Sequence, residues 1–228
     1  MTASAAETAR FAKARDRMVE IQLAGQGIRD PAVLAAMRAV PRDRFVPEHL
    51  AEEAYADRAL PIGLGQTISQ PYIVAAMLEL VEPKPGDRAL EIGTGSGYSA
   101  AVLATIVAEV YSVECLADLA QSAARRLAAL GYATVHVRLA NGTLGWPEHA
   151  PYDVIVVTAG GPRVPPPLLD QLAVGGRLVM PVGGLLGGQR LVRVRRRSET
   201  DYDREELEDV AFVPLVGAEG WPSGGPPP

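Results

Sequence analysis

The stretch Leu90-Glu91-Ile92-Gly93-Thr94-Gly95-Ser96-Gly97-Tyr98 limits what this chain can fold into more sharply than any other part of it. An apolar strand runs through an acid into a Gly-x-Gly-x-Gly turn and then into a helix. Such a turn at a strand's C-terminal end suits a ligand, because glycines let the backbone approach closely and the helix amides beyond them offer donors. Tyr98 stands where the dinucleotide fingerprint wants its last glycine, so that pattern is not satisfied. No Gly-Lys-Ser/Thr follows any glycine loop, which removes a P-loop kinase or ATPase. Thr94 and Tyr98 flank Ser96 where a nucleophile elbow requires glycines.

The surrounding pattern agrees with that turn. Short aliphatic runs at Ala89–Ile92, Val110–Val113, Val135–Leu139, Val154–Val157 and Arg177–Pro181 alternate with helical segments at Tyr98–Val107 and Leu116–Leu130, the second closed by Gly131. This predicts an α/β fold: a doubly wound, mostly parallel Rossmann-like sheet with helices on both faces. Gly183 to Gly188 reads as a hairpin turn, with Arg190–Arg197 and Val210–Val213 as antiparallel strands at the sheet edge. Ahead of the Pro83-Lys84-Pro85-Gly86 hinge lies a helical extension. In it Met18 to Ala24 is a short amphipathic stretch, Asp30-Pro31 caps a helix that Pro41 stops, and Ala59 to Ser69 is non-helical. Helix resumes at Pro71, with Ser69 or Gln70 as its cap. The expected organisation is one compact unit: residues 1–82 as the helical region with a loop facing the site, 83–217 as the core, and 218–228 as a flexible tail.

Composition narrows the chemistry. The 228 residues carry 22 basic and 27 acidic side chains, a net charge of −5, the wrong sign for holding nucleic acid or an anionic membrane. One cysteine, Cys115, and three histidines, His49, His136 and His149, offer neither a disulfide nor a zinc spacing, so a metal-free reaction in a reducing cytoplasm is expected. No apolar run is long enough to span a membrane, and the first residues lack a signal-peptide core. Cys115 reads as a small buried filler and Trp146 and Trp221 as packing residues. Arg193, Arg195, Arg196 and Arg197 read as an exposed edge strand that resists aggregation.

Glu114 ends the second of these strands, where an acid can accept both hydroxyls of a ribose. Asn141-Gly142 after the third strand is either a base contact or an ordinary Asn-Gly turn. The acid, the three-glycine turn and the acid closing the next strand together resemble the S-adenosylmethionine-dependent methyltransferases. The resemblance narrows further with ALPIGLGQTISQP at Ala59 to Pro71, VPRDRFVP at Val40 to Pro47, AYAD at Ala54 to Asp57, APYDVIVVTA, PPPLLDQLAVGGRLVMPVG and FVPL at Phe212 to Leu215. In order and spacing these are similar to the protein-L-isoaspartate O-methyltransferases, from about Met18 to Gly217.

The resemblance implies that S-adenosyl-L-methionine is the cofactor, leaving as S-adenosyl-L-homocysteine, and that no metal takes part. It implies Glu91, Gly93, Thr94, Gly95 and Gly97 on the methionine and ribose side of the cofactor, Glu114 at the ribose, and Asn141 and Gly142 at the adenine. Thr67, Ile68 and Ser69 would lie between cofactor and substrate, with Ser69 as the active-site serine and Asp57 as an acid near it. Ile62, Gly63, Val213, Pro214 and Leu215 would contact the substrate backbone. The implied reaction methylates the free α-carboxylate of L-isoaspartyl residues in damaged peptides or unfolded proteins and starts repair through a succinimide; a cytoplasmic monomer is expected. Two other readings stand beside it: a relative that methylates an Asp side chain of a dedicated precursor peptide, and a cofactor-binding regulator without catalysis. One departure is visible, since the family has Asp-Gly where this chain has Asn141-Gly142. An Asn carbonyl is expected to accept from the adenine amino group, with less strength than a carboxylate.

Overall fold

The computed structural model describes residues 5–185 and 187–222. Its centre is a seven-stranded sheet made of β3 (Arg88–Ile92), β4 (Glu109–Glu114), β5 (Val135–Leu139), β6 (Tyr152–Val157), β7 (Leu172–Gly184), β8 (Gly187–Arg196) and β9 (Tyr202–Val210), in the order β5-β4-β3-β6-β7-β8-β9. Strands β3 to β7 run parallel, while β8 and β9 return antiparallel. Two small strands ahead of the sheet, β1 (Leu60–Gly63) and β2 (Gln66–Ile68), form a separate hairpin. The Rossmann-like expectation holds.

Helices cover the sheet: α1 (Ala5–Arg17), α2 (Pro31–Ala39), α3 (Pro71–Val81), α4 (Tyr98–Ala104), α5 (Ala117–Ala129) and the short α6 (Pro166–Asp170). Asp30 caps α2 by accepting from the amides of Ala32 and Val33 at 2.8 and 3.1 Å. Gly131, in the left-handed region at φ 84°, closes α5 with Tyr132 N–H reaching Leu127 O at 3.0 Å, a Schellman ending. Two buried clusters lie on the opposite faces of the sheet: one joins α1 to α4 to the strands, and the other lies under α6 and the segment that follows β9.

Several expectations need correction. The first helix begins at Ala5 and runs through a wider π turn at Met18–Leu23; its Ala/Arg-rich start has little apolar face to read, and Phe11 is its main buried contact. The last strand is β9, not Val210–Val213. Its polar sequence DREELED lacks strand alternation because the strand lies at the sheet edge, joined to β8 by backbone pairing and by crossed charges: Arg193 opposite Glu205 and Arg195 opposite Asp203. The arginine run therefore sits on an inner strand and is paired, Arg195 with Glu82 and Arg197 with Asp203 as well. Residues 218–222 are held rather than free. Glu219 N–H donates to Thr143 Oγ1 at 3.2 Å, Trp221 Nε1 donates to Gly160 O at 3.0 Å, and Arg163 pairs with Glu219. The rest of the expected tail, 223–228, lies outside the described residues.

Gly97 ties the cofactor-like turn to this scaffold. It caps α4 at φ 89°, and a Cβ there would stand 3.1 Å from Leu127 Cδ1 of α5. Gly97→Ala combines a disfavoured backbone with a crowded helix contact, so it is expected to cost roughly 1–3 kcal/mol, read as a melting temperature several degrees below that of the unaltered chain.

Candidate active site

At the C-terminal edge of a parallel sheet, the connections leaving β3 and β6 diverge to opposite sides, and open α/β sheets place ligands in the crevice this creates. The glycine turn after β3 stands in that crevice. Gly93 N–H donates to Val113 O at 2.8 Å and holds the turn to β4, while Thr158 N–H donates to Ile92 O at 2.8 Å on the β6 side. Thr158 Oγ1 also donates to Gly93 O at 2.8 Å, and a side chain at Gly93 would collide with that hydroxyl. Gly93 is thus required by close approach as well as by its φ of 97°.

Glu114 is the electrostatic anchor. Its Oε2 accepts from Gly95 N–H at 2.8 Å, and its Oε1 accepts from the amides of Cys115 and Leu116 at 2.9 and 3.0 Å. A carboxylate offers about four acceptor positions, so three are spent on backbone and about one remains for a hydroxyl. The expectation that Glu114 alone accepts both ribose hydroxyls has to meet that limit: a second hydroxyl competes with the Gly95 amide.

Three cavities meet beside this turn. The largest, of about 420 Å³, is walled by Gly93, Gly95, Glu114, Gly142 and the segment Val213 to Leu215. A second, of about 250 Å³, lies between Ser69 at the start of α3 and residues Asp209 to Val213. A narrow space of about 40 Å³ runs between Ser69 and the glycine turn. Thr67 and Thr158 border all three. Of the three residues expected between cofactor and substrate, Thr67 borders both large cavities, Ser69 the second one and the narrow space, and Ile68 the narrow space alone. The cap of α3 is Gln70 and no side chain caps it, so the Ser69 hydroxyl is not spent on the helix and has no partner among the described residues.

Other expected residues are placed differently. Glu91 is fully buried and borders none of these cavities; its Oε2 accepts from Ser112 Oγ at 2.6 Å, and Ser112 in turn lies 2.6 Å from Thr94 Oγ1. Glu91 therefore braces the turn from beneath through Ser112, while Thr94 also borders the narrow space beside Ser69. Gly97 packs on α5. Ile62 lies over the turn, 3.3 Å from where a Cβ on Gly95 would be, and Gly63 is exposed at the hairpin. Pro214 and Leu215 wall the largest cavity, and Val213 borders both large ones. Asp57 borders neither; its Oδ2 accepts from Gln26 Nε2 at 2.8 Å. Asn141 Oδ1 accepts from Thr143 N–H and Thr143 Oγ1, at 3.1 and 2.8 Å. An amide N–H can only donate, so the Asn141 oxygen is committed to Thr143 and the polar atom left over is the donor Nδ2. That corrects the expectation of an Asn carbonyl available to adenine.

Cys115 is not a buried filler. It is exposed on the wall of the largest cavity, and burial of the sulfur followed by the neighbouring Glu114 charge raises its thiol pKa, away from thiolate reactivity. Two residues carry more than their motifs suggested. Thr158 is one, inside APYDVIVVTA but singled out only by the pairing of β3 with β6. Gln189 is the other: buried, it accepts from Phe212 N–H at 2.8 Å and donates to Phe212 O at 3.2 Å, pinning the segment that roofs the cleft. Among the described residues no cluster of His, Cys, Asp and Glu could hold a metal ion, and no helix is long and apolar enough to cross a membrane.

Burial lifts the Glu91 carboxyl to about 7, the hydrogen bond from Ser112 working the other way and the Glu114 charge adding to the rise. Between the ordinary carboxylate range and pH 7 the folded chain then binds more protons at this site than the unfolded one, so the contribution of Glu91 to stability falls as pH rises through that window. The neutral isostere Glu91→Gln is expected to gain melting temperature relative to the unaltered chain at pH 8 and to lose that advantage at pH 5, measured by thermal unfolding at the two values.

Comparison with known proteins agrees with the geometry. The family model described as protein-L-isoaspartate(D-aspartate) O-methyltransferase matches residues 13–220. The chain is 65% identical over 207 residues to a protein of Pelobacter propionicus named protein-L-isoaspartate O-methyltransferase 2, covering 91% of this chain and 92% of that one. A solved structure named protein-L-isoaspartate O-methyltransferase superposes with a TM-score of 0.82 at 31% identity, covering 90% of this chain and 67% of the other. A Plasmodium falciparum structure, whose description names the same activity in complex with S-adenosyl-L-homocysteine, superposes with a TM-score of 0.77 at 26% identity, covering 89% and 98%.

Proposed function

The chain belongs to the protein-L-isoaspartate(D-aspartate) O-methyltransferase family, and from that membership we propose how its cleft moves a methyl group from S-adenosyl-L-methionine to the α-carboxylate of an L-isoaspartyl residue. It is an S-adenosyl-L-methionine-dependent carboxyl methyltransferase acting on isoaspartyl-containing protein substrates. The observation that carries the division of roles is the meeting of the two large cavities at Thr67 and Thr158, with Ser69 on the far side.

The largest cavity fits the cofactor. Its volume suits a nucleoside with an amino-acid arm, its floor is glycine backbone without side chains, and Glu114 offers an acceptor at its edge. When bound, S-adenosyl-L-methionine supplies a methyl group already activated on a sulfonium. The acceptor carboxylate, with an ordinary pKa near ~4, is already ionised at neutral pH, so no general base is required of the protein. What remains is alignment, which can supply on the order of 7–11 kcal/mol of barrier lowering. Ser69 donates its free hydroxyl to the acceptor carboxylate, Thr67 and Ile68 separate the two sites, and Val213 contacts the substrate backbone. Asn141 and Gly142 take the adenine edge, where a Cβ on Gly142 would stand 2.5 Å from Ile92 Cγ2.

The product ester collapses without further help: the neighbouring backbone amide nitrogen attacks the ester carbonyl, methanol leaves, and a succinimide forms that reopens in water to a mixture of aspartyl and isoaspartyl linkages. A kinked isopeptide backbone enters a cleft of this kind from an unfolded or flexible segment, so such segments are the proposed substrates. A monomer working in a reducing cytoplasm is the setting proposed here, the lone cysteine bearing on the compartment alone.

Incubation with labelled S-adenosyl-L-methionine and matched isoaspartyl and aspartyl peptides is expected to label only the isoaspartyl one. Label on the aspartyl peptide alone would favour the precursor-tailoring reading, and cofactor binding without transfer the regulator. Ser69→Ala is expected to lower turnover roughly a hundredfold, the usual scale for one positioned donor. Asn141→Asp keeps an oxygen on Thr143 and turns the remaining atom from donor to acceptor. Calorimetry is expected to show cofactor binding tightened by up to about tenfold, and weakened binding would remove the adenine assignment.

A further inference from the structure

We infer that Arg42 is a positioning residue for methyl transfer, its buried guanidinium clamping the Ser69 turn to the helix that follows the glycine turn. The inference rests on Ser69 being the acceptor-side donor, as proposed above.

Arg42 lies in the short 3-10 turn Arg42–Phe45 and has no exposed surface. Its Nε donates to Ala54 O at 2.7 Å and its Nη2 to Ser69 O at 2.8 Å. The guanidinium carbon stands 4.8 Å from the ring centre of Tyr98, the first residue of α4, and Phe45 meets the same ring edge-on at 5.6 Å. Tyr98 and Ser69 both border the narrow space between the serine turn and the glycine turn, so one side chain supports both of its walls. No other residue described here reaches the serine turn and the cofactor-side helix together through hydrogen bonds and ring stacking.

The charge is held at a cost. Among the described residues no carboxylate forms a salt bridge with Arg42, and burial lowers its pKa, with Tyr98, Tyr55 and Asp57 opposing that shift. Its Nη1 is buried without a partner, and so is Oδ1 of Asp57. Buried ionic groups can often be replaced by apolar side chains of similar volume without loss of stability, so packing alone does not call for a guanidinium here. An apolar replacement could fill the space but could not send two directed N–H bonds from one rigid plane to Ala54 and Ser69 while stacking on Tyr98. Holding the Ser69 carbonyl restrains the backbone from which its hydroxyl projects. The same cation is one hydrogen bond from the turn that carries Ser69, in a chain whose net charge is −5. A cation at that place favours an anionic acceptor on the Ser69 side.

Two variants separate geometry from charge. Arg42→Lys keeps the charge and loses the fork; its turnover of an isoaspartyl peptide is expected to fall at least about tenfold with little change in peptide KM. Arg42→Gln loses both, and its peptide KM rises as well. Calorimetric affinity for S-adenosyl-L-methionine stays within about twofold in each, a readout that general loosening of the fold would not spare. Because Arg42 acts through Ser69, adding Ser69→Ala to Arg42→Lys costs far less than Ser69→Ala costs alone. Independent, multiplying losses, or a parallel loss of cofactor affinity, would overturn the inference. If neither Arg42 variant folds, Tyr98→Leu removes the ring beneath the guanidinium and is expected to show the same coupling to Ser69→Ala; its absence there is equally decisive. An unaltered chain that fails to methylate the isoaspartyl peptide would instead sink the reading of the cleft itself.

Discussion

The carboxylate of Glu114 is the contact on which the cleft depends. A parallel sheet ends in backbone amides with no next residue to pair with, and at β4 one side chain satisfies three of them at once. Two belong to the start of the connection into α5 and the third to Gly95, across the sheet edge in the glycine turn. By drawing the two connections together, Glu114 fixes the turn's position relative to β4, while Thr158 closes on Gly93 from β6. Within that frame each glycine has a separate duty: Gly93 admits the Thr158 hydroxyl, and Gly97 admits α5.

Both ends of the chain are used to roof this frame. From the N-terminal side come the β1-β2 hairpin, the serine turn and the buried Arg42 behind it. From the C-terminal side comes the segment after β9, fastened by Gln189 to Phe212, by Gly160 to Val213 and Leu215, and by the Trp221 indole to Gly160. Both additions pack over the C-terminal edge of the sheet, so the acceptor side lies between parts of the chain more than a hundred residues apart in sequence order. The charges of the last two strands are spent on one another: the arginines of β8 face the acids of β9 and Glu82. The global charge of −5 therefore says little about the cleft, where Arg42 holds the Ser69 turn and Arg126 the glycine turn.

How much of this could be read in the sequence depended on whether a signal was local. The glycine turn, the Asp30 cap, the Gly131 helix ending and the strand at Val135–Leu139 were legible because backbone conformation and period-two burial are written in neighbouring residues. The first helix and β9 were not, since an Ala/Arg-rich helix and a charged edge strand have little apolar periodicity and are held by what they pair with. Glu91 illustrates the other limit. Its place at the head of the turn suggested a ligand contact, yet its side chain is fully buried, where Ser112, itself bonded to Thr94, receives it.

The sequence by itself determined the fold class and the short list of residues around the turn, because a strand, three spaced glycines and a helix admit few other backbones, while the kind of reaction was read from the resemblance carried by motifs such as GQTISQP. Only the tertiary structure decided which of those residues face a cavity and which brace it, and it alone brought Thr158, Gln189 and Arg42 to the site. The physical reason is that their partners are distant in the chain: an adjacent strand for Thr158, the closing segment for Gln189, and for Arg42 a carbonyl and a ring on two different elements. No local pattern encodes such contacts, and they exist only once the core has packed.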